Sequence, residues 1–387
     1  MTDTGVNHRD MNINNKYVIL KALATQGAMP RNELSILSGL SKMAITAIAN
    51  EYLEQGILRE CGELSSSGGR KPKLLELNPN ALLTLAISID REMLLVGIVN
   101  ARGAILRSEH IPFRQVDTNQ ILIDNIFYLC DIMMKDSLSS NFWGIGVSCV
   151  GPLSIEEGEI LNPPDFGSIH NLPIVRLLKE KYNLPCYLQN DMCLAALAEA
   201  YYGKHSLLRN FLYIGISSGI GGGVILDRKL FTGTSGLAGI IGHSIVQMNG
   251  LPCTCGQRGC LEQYSSITAI VKWARDQSGD DSITWMRLAG GIVEGDSVSQ
   301  CAIDRMAEYL YVAISNFQAA FDMQGVIIGG DLYGAKDYIV SRVRERLQSE
   351  TLKWSYRRRI EVEGASFMSD ASFIGTSALT MENLLKK

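Results

Sequence analysis

Through the first 60 residues apolar positions recur at three- and four-residue spacing, and beyond residue 81 they gather into short unbroken runs. Val18, Ile19, Leu20 and Leu23 form one helical face between Asn14 and Gly27, where the glycine is a stop. Pro30 opens a second helix to about Leu40, with Leu34 and Leu37 turned inward. Gly39-Leu40-Ser41 is a tight turn, and Ser41 is a natural N-cap for a third helix to about Gly56. Ile45, Ile48, Ala49, Tyr52 and Leu53 share one face of that helix. Two β-prone pieces, 57–61 and 73–77, flank Ser65-Ser66-Ser67-Gly68-Gly69-Arg70-Lys71-Pro72, a loop ending in positive charge. Three helices and a basic hairpin predict a winged helix-turn-helix over residues 1–80.

From residue 81 strands alternate with helices. Residues 83–99 hold two strand-like runs around Asp90-Arg91-Glu92, and Trp143 to Val150 is a buried strand ending at Gly151-Pro152. Another strand, 185–188, leads at once into a helix from Asp191 to Tyr202. Residues 210–216 and 222–226 flank a glycine-rich turn, and 325–328 ends in Gly329-Gly330-Asp331. The pattern predicts an α/β body of two lobes, 81–200 and 201–370, the first completed by a C-terminal helix at about 371–387.

Composition narrows the class. A chain of 387 residues with 46% hydrophobic and 20% charged residues supports two or three domains with real cores. The net charge is −4, but the split is uneven: nine basic and eight acidic residues lie before residue 81, and 27 and 32 follow. An acidic total therefore leaves room for a basic patch in the head. No run approaches the ~18 apolar residues of a membrane span. The N-terminus lacks an apolar leader, and nine cysteines without an export signal predict a reducing cytoplasm.

Three of those cysteines fall within Cys253-Thr254-Cys255-Gly256-Gln257-Arg258-Gly259-Cys260, and His243 lies ten residues upstream. Three thiolates and one imidazole fill a tetrahedral shell and leave no position for a catalytic water, which predicts a structural zinc on His243, Cys253, Cys255 and Cys260.

Gly236-Leu237-Ala238-Gly239-Ile240-Ile241-Gly242-His243, the cysteine cluster and Leu261-Glu262 together resemble the ROK family of sugar kinases and sugar-responsive repressors. Gly219-Ile220-Gly221-Gly222-Gly223, Gln189-Asn190-Asp191 and Gly329-Gly330 extend the resemblance from about residue 81 to the end. With a winged helix in front, the chain is similar to the repressor branch. The resemblance implies a bilobal actin/hexokinase-like body, zinc on the four residues named above, and a homodimer or homotetramer. It also implies a sugar site formed by Gly151, Asp165, Asn190, Asp191, His243 and Glu262. Taken alone, Asn190-Asp191 before a helix is more often an ordinary cap than a ligand site, and the resemblance reverses that order. The family usually has Glu where Ile240 stands and commonly Asn where Asp165 aligns. Losing one carboxylate removes a hydroxyl acceptor, which predicts a ligand other than a standard hexose, or a weakly held one.

ROK kinases carry Asp-x-Gly-Gly-Thr early in the first lobe, where backbone amides meet phosphate. Here Ser88, Asp90, Arg91 and Glu92 take those places, and two carboxylates oppose a triphosphate. Kinase activity is therefore not expected, although a kinase that kept a DNA-binding head is the alternative. On the third helix Ser41, Lys42, Thr46 and Asn50 form the polar face suited to base edges and phosphates, with Arg70, Lys71 and Lys73 in the wing. Arg357-Arg358-Arg359 reads as a solvated face or an interface. The expected function is a sugar-responsive transcriptional repressor, with operator DNA and a monosaccharide or derivative as partners.

Overall fold

The hydroxyl of Ser41 accepts the Ala44 N–H at 3.2 Å, and α3 (Lys42–Glu54) runs on from that cap. The computed structural model describes residues 8–63, 72–112, 118–135, 141–164, 166–349 and 360–384, so Arg70, Lys71, Asp165 and 357–359 lie outside the described residues. Preceding α3 are α1 (His8–Gln26) and α2 (Arg31–Ser38), the latter ending on Gly39 in the left-handed region. Ile19, Leu20, Leu23, Leu34, Ile45, Ile48 and Tyr52 are buried on these helices. Leu37, expected inward from its spacing, is instead exposed, because α2 has only eight residues and buries Leu34 alone. A three-stranded antiparallel sheet completes this part, with β1 (Met29–Pro30), β2 (Leu58–Glu63) and β3 (Lys73–Leu77) in the order β1-β3-β2.

The chain divides into two compact units, one up to Leu194 together with residues from Ser372, the other Ala195–Ala371. The first unit contains the helices above and a five-stranded sheet built from β4 (Leu83–Ile89), β5 (Met93–Val99), β6 (Ile105–Pro112), β7 (Phe142–Cys149) and, after the short β8 (Leu153–Ser154) and β9 (Glu159–Ile160), β10 (Cys186–Asn190). Its order is β10-β7-β4-β5-β6, with β4, β7 and β10 parallel. Their unbroken runs are buried on both faces, as crossover helices require: α4 (Asn119–Met133), α5 (Ile174–Tyr182) and α6 (Asp191–Tyr202). Leu85, Ile87, Val96, Ile145 and Val147 sit in the core of this sheet at no more than 0% exposure.

The second unit repeats the theme with β11 (Phe211–Ile216), β12 (Ile220–Leu226), β13 (Lys229–Phe231), β14 (Gly325–Gly330) and β15 (Glu361–Gly364) in the order β13-β12-β11-β14-β15. Around it lie α7 (Glu262–Ser265), α8 (Ile267–Ser278), α9 (Trp285–Glu294), α10 (Ser297–Phe321) and α11 (Lys336–Ser349). No described helix is long and apolar enough to cross a membrane.

The chain then returns through α12 (Ala371–Leu384) to the first unit. A Cβ on Gly146 of β7 would strike Thr376, and one on Gly375 would strike the carbonyl of Leu194 in α6. Only glycine permits these two approaches. The Ser377 hydroxyl donates to the buried Asn100 carbonyl at 2.9 Å. Glu382, nearly buried, faces Lys21 of α1 at 3.7 Å. The segment between β3 and β4 is stapled residue by residue. Asn78 Nδ2 donates to the Gly56 carbonyl at 2.8 Å, Asn100 Nδ2 to that of Pro79 at 3.0 Å, and Asn141 Nδ2 to that of Asn80 at 2.7 Å. Glu76 on β3 pairs with Arg59 on β2 at 2.7 Å and with Arg102 of the body at 3.2 Å.

Gly375→Ala is expected to cost about 1–3 kcal/mol of stability, since its Cβ meets backbone that cannot step aside. Gly290→Ala on the open side of α9, where a Cβ meets nothing within 4 Å, should be neutral or stabilise by about 0.5–1 kcal/mol. Urea denaturation of the two variants side by side checks the contrast.

Candidate functional site

Three parallel strands of the first unit end level. Ile89 pairs with Cys149 and Cys149 with Asn190, so Asp90 and Asp191, which follow directly, and Gly151, two residues past Cys149, emerge at the carboxyl end of the sheet. This is where open α/β sheets hold ligands. The Asn190 side chain is a working cap: its Oδ1 accepts the N–H of Met192 at 3.1 Å and of Cys193 at 3.4 Å. Gly151 faces the Asn190 amide, so a small residue keeps that end open. Asp191 accepts the Met192 N–H at 2.9 Å. Burial pushes the Asp191 carboxyl up to about 6, opposed by the Met192 N–H and the Arg91 guanidinium and reinforced by the charge of Asp90. The 90–92 turn is itself an Asx turn, Asp90 Oδ1 accepting from the N–H groups of Glu92 and Met93 at 2.7 Å. Arg91 is directed to the Pro164 carbonyl at 3.3 Å.

The other predicted residues belong to the second unit. Glu262 starts α7, and its Oε2 accepts the Ile220 N–H at 3.1 Å beside Gly219, tying the glycine-rich β11–β12 turn to the helix. His243 ends a 3₁₀ turn, Ile241–His243, that follows the half-exposed Ile240. His243 Nδ1 faces Cys253 Sγ at 3.5 Å, and Cys255 Sγ lies 3.7 Å from Cys260 Sγ. The four ligand atoms are all within 4.8 Å of one another and could hold a metal ion. Local chemistry explains the convergence. Gly256 and Gly259 occupy the left-handed region at φ +90° and +80°, and a Cβ on Gly259 would strike the Gln247 carbonyl. Two isolated β-bridges, Ile245 with Cys260 and Pro252 with Arg258, close the loop. Two residues not anticipated from sequence support it: Tyr264 takes the Leu251 N–H at 2.6 Å, and Gln263 Nε2 reaches Cys253 Sγ at 3.6 Å. Their positions just after Glu262 were the available signal.

A third cluster lies on the three-helix part. Ser41, Lys42, Thr46 and Asn50 are all exposed on α3. Ser41 accepts as the helix cap, which leaves its O–H free to donate. Arg31, at the start of α2, donates to Asn50 Oδ1 at 3.0 Å and so orients that amide. A cleft of ≈ 360 Å³ opens between Arg31, Asn32, Lys42, Thr46 and Lys73, gathering three cations and two hydrogen-bonding side chains. Lys73 also pairs with Glu60 across the hairpin. Arg31 is not marked by local sequence, because its pairing with Asn50 spans 19 residues, and no motif marks Asn32 as a lining residue of the cleft.

The raised Asp191 carboxyl has a definite sign. The folded chain holds that proton more tightly than the unfolded chain, so the associated stability is present below the ordinary carboxylate range and is lost as pH rises through about 6. Asp191→Asn should therefore stabilise the unliganded protein at pH 7, by roughly 1–3 kcal/mol, and should have little effect near pH 4. Urea titrations at the two pH values measure the difference.

Comparison with known proteins bears on these clusters. A sequence profile described as the ROK family matches residues 84–383. A xylose repressor of Caldicellulosiruptor bescii is 26% identical over 394 residues, spanning 98% of both chains. An N-acetylmannosamine kinase of Escherichia coli is 30% identical over 307 residues, covering 79% of this chain and all of the kinase. Among solved structures, a ROK family transcriptional regulator described as a homolog of E. coli MLC superposes with a TM-score of 0.81 at 23% identity, covering 98% of each chain. A ROK glucokinase from Streptomyces griseus, solved with glucose and AMPPNP, gives 0.68 at 22% identity over 78% of this chain and 100% of its own. The chain belongs to the ROK family.

Proposed function

We propose that this chain is a sugar-responsive transcriptional repressor. Residues 1–80 form the operator-binding head. The body comprises one lobe at 81–200, completed by the helix at about 371–387, and a second lobe at 201–370. The observation that carries the reading is the extent of likeness. Similarity to the xylose repressor runs over 98% of both chains, head included, whereas the kinases match 77–79% of this chain. The exposed polar face of α3 and the cationic cleft beside it supply what a duplex requires: donors for base edges and charges for phosphates. A two-fold homodimer would match a palindromic operator.

The effector is a monosaccharide or derivative. By the family resemblance, its contacts are Gly151, Asp165, Asn190, Asp191, His243 and Glu262. An ionised Asp191 accepts sugar hydroxyls, and the Asn190 amide can both donate and accept. Ile240, half exposed and apolar, contributes no hydroxyl acceptor, which favours a ligand with an apolar or substituted edge. To switch nearly all of the protein, the effector must prefer the released state by about 10⁴-fold.

His243, Cys253, Cys255 and Cys260 suit zinc. Around a tetrahedral zinc, thiolates stand ~3.8 Å apart and a thiolate and imidazole nitrogen ~3.6 Å apart. The 3.7 Å and 3.5 Å separations above match that spacing. Bound zinc would supply a crosslink between the 3₁₀ turn and the cysteine loop, with no open coordination position. With Nδ1 toward the thiols, His243 Nε2 is left for another partner. Cys255→Ser should lose about one zinc per chain and melt at lower temperature than the parent; full zinc content in a folded variant would refute the site.

The kinases deserve a second reading, because their identity of 30–31% exceeds the 26% of the repressors. Against it stand Asp90 and Glu92, two carboxylates in the turn where the kinases hold phosphate. Two assays separate the readings. In fluorescence anisotropy with duplexes from the region upstream of its own gene, the full chain should bind one at least about 10³-fold more tightly than unrelated DNA. One member of a sugar and sugar-phosphate panel should release it. ATP-dependent phosphorylation of the same panel should give no turnover. Turnover without specific DNA binding would reverse the assignment.

A further inference from the structure

Resting on the reading of α3 as the helix that meets DNA, one exposed side chain among the polar ones is chemically out of place. Met43 is 84% exposed, and no large apolar residue among the described residues exceeds it. It is not a stray from the core stripe. At about 100° per residue, measured from Lys42, Thr46 lies at about 40°, Asn50 at about 80°, Met43 at about 100° and Ala47 at about 140°. The buried Ile48, Tyr52, Ile45 and Ala49 occupy about 240–340° on the same scale. Met43 thus stands in the middle of the exposed arc, flanked by Asn50, with the small, exposed Ala47 one turn on. It is also the second residue of α3, in the first turn, and the N-terminal residues of such a helix are those that reach base edges.

The occupant follows from chemistry. The major groove presents one apolar group, the 5-methyl of thymine. An unbranched thioether is long enough and adaptable enough to lie against it. Lys42, Arg31 and Lys73 line the cleft on one side of α3, so the same surface that suits phosphate brings Met43 to the bases rather than to an apolar protein partner. Ala47 leaves the space into which the Met43 chain can fold.

We propose that Met43 is a specificity-determining residue that reads thymine by its methyl group, so that the operator carries a thymine in each half-site at the position α3 meets first. Polar neighbours then supply affinity and orientation, and Met43 excludes cytosine at that position by the absence of the methyl.

The test uses the full chain. Binding sites are selected from a random duplex pool, and the best duplex is remade with each thymine replaced singly by deoxyuridine, which lacks only the methyl. At one position per half-site the replacement should weaken the parent protein about fourfold, the value of one buried methyl-sized group. Met43→Ala, at an exposed helical position where alanine is well tolerated, should bind the thymine duplex about fourfold less tightly and be indifferent to deoxyuridine there. Lys42→Ala should weaken all duplexes alike and keep the thymine dependence. If every replacement is neutral for the parent, or if Met43→Ala keeps the sensitivity, the assignment of Met43 is overturned while DNA binding stands. A Met43→Ala protein that changes its oligomeric state with thymine dependence intact likewise overturns it in favour of a protein contact. If the pool yields no duplex bound above bulk DNA, the DNA-binding reading falls, and the assignment falls with it.

Discussion

The packing of the C-terminal helix against the first unit is the constraint from which the rest of the architecture follows. Two glycines make it possible: Gly146 admits Thr376 to the face of β7, and Gly375 admits the backbone of α6 at Leu194. Because α12 must return to the first sheet, residues 195–371 become an insertion, entered through α6 and left just before α12. Both crossings therefore meet at one place, where Gly375 packs on Leu194. The same helix reaches the three-helix part, since Glu382 faces Lys21. A charge pair this sheltered from water is screened less than a surface pair, whose usual worth is about 0–1 kcal/mol.

The two chemical clusters of the body differ in how their charge is managed. At the end of the first sheet, desolvated Asp191 is kept near Asp90, and the Met192 N–H, Arg91 and Asn190 offset this only in part, so the free protein holds an uncomfortable carboxylate. A polyhydroxyl ligand that donates to that carboxylate would relieve what folding leaves strained electrostatically. The cysteine loop resolves its problem internally. Its backbone is committed by Gly256 and Gly259, its outer turn is anchored by Tyr264, and its four donors face one another. On the proposed reading, one cluster receives a ligand from solution and the other is closed around a metal ion.

Features set by short-range chemistry could be read before any coordinates. The Ser41 cap, the buried runs that became β4, β7, β11 and β14, and the glycine-spaced cysteines all act over fewer than ten residues. The cap reading and the ligand reading of Asn190-Asp191 were both open, and Asn190 does cap α6. What local sequence does not reveal depends on partners far along the chain. β1 is two residues long and exists only because β3 pairs with it 45 residues later. Arg31 acquires its role from Asn50, and Glu76 from Arg102, 26 residues on. Leu37 looked like core by spacing, but a two-turn helix buries only the side chain aimed at its neighbours. Met43 is hidden in the sequence for the opposite reason: only its exposure distinguishes an apolar residue on a polar helix face from a stray of the core.

The joint between head and body bears directly on how an effector could act. A head on a loose tether would absorb any movement of the body, because a flexible segment of a few residues rotates at almost no cost. Here Asn78, Pro79 and Asn80 each carry a side-chain hydrogen bond to a fixed element, and Glu76 is held from both sides. Each such hydrogen bond is worth about 0.5–1.5 kcal/mol, so swinging the head free would cost several of them at once. Thermal motion does not do that often. On the proposed reading, the head therefore travels with the first unit as one piece. In the proposed homodimer, release from DNA would then come from a change in how the two first units are disposed, which alters half-site spacing. Detachment of a head from its own body would be the more expensive route.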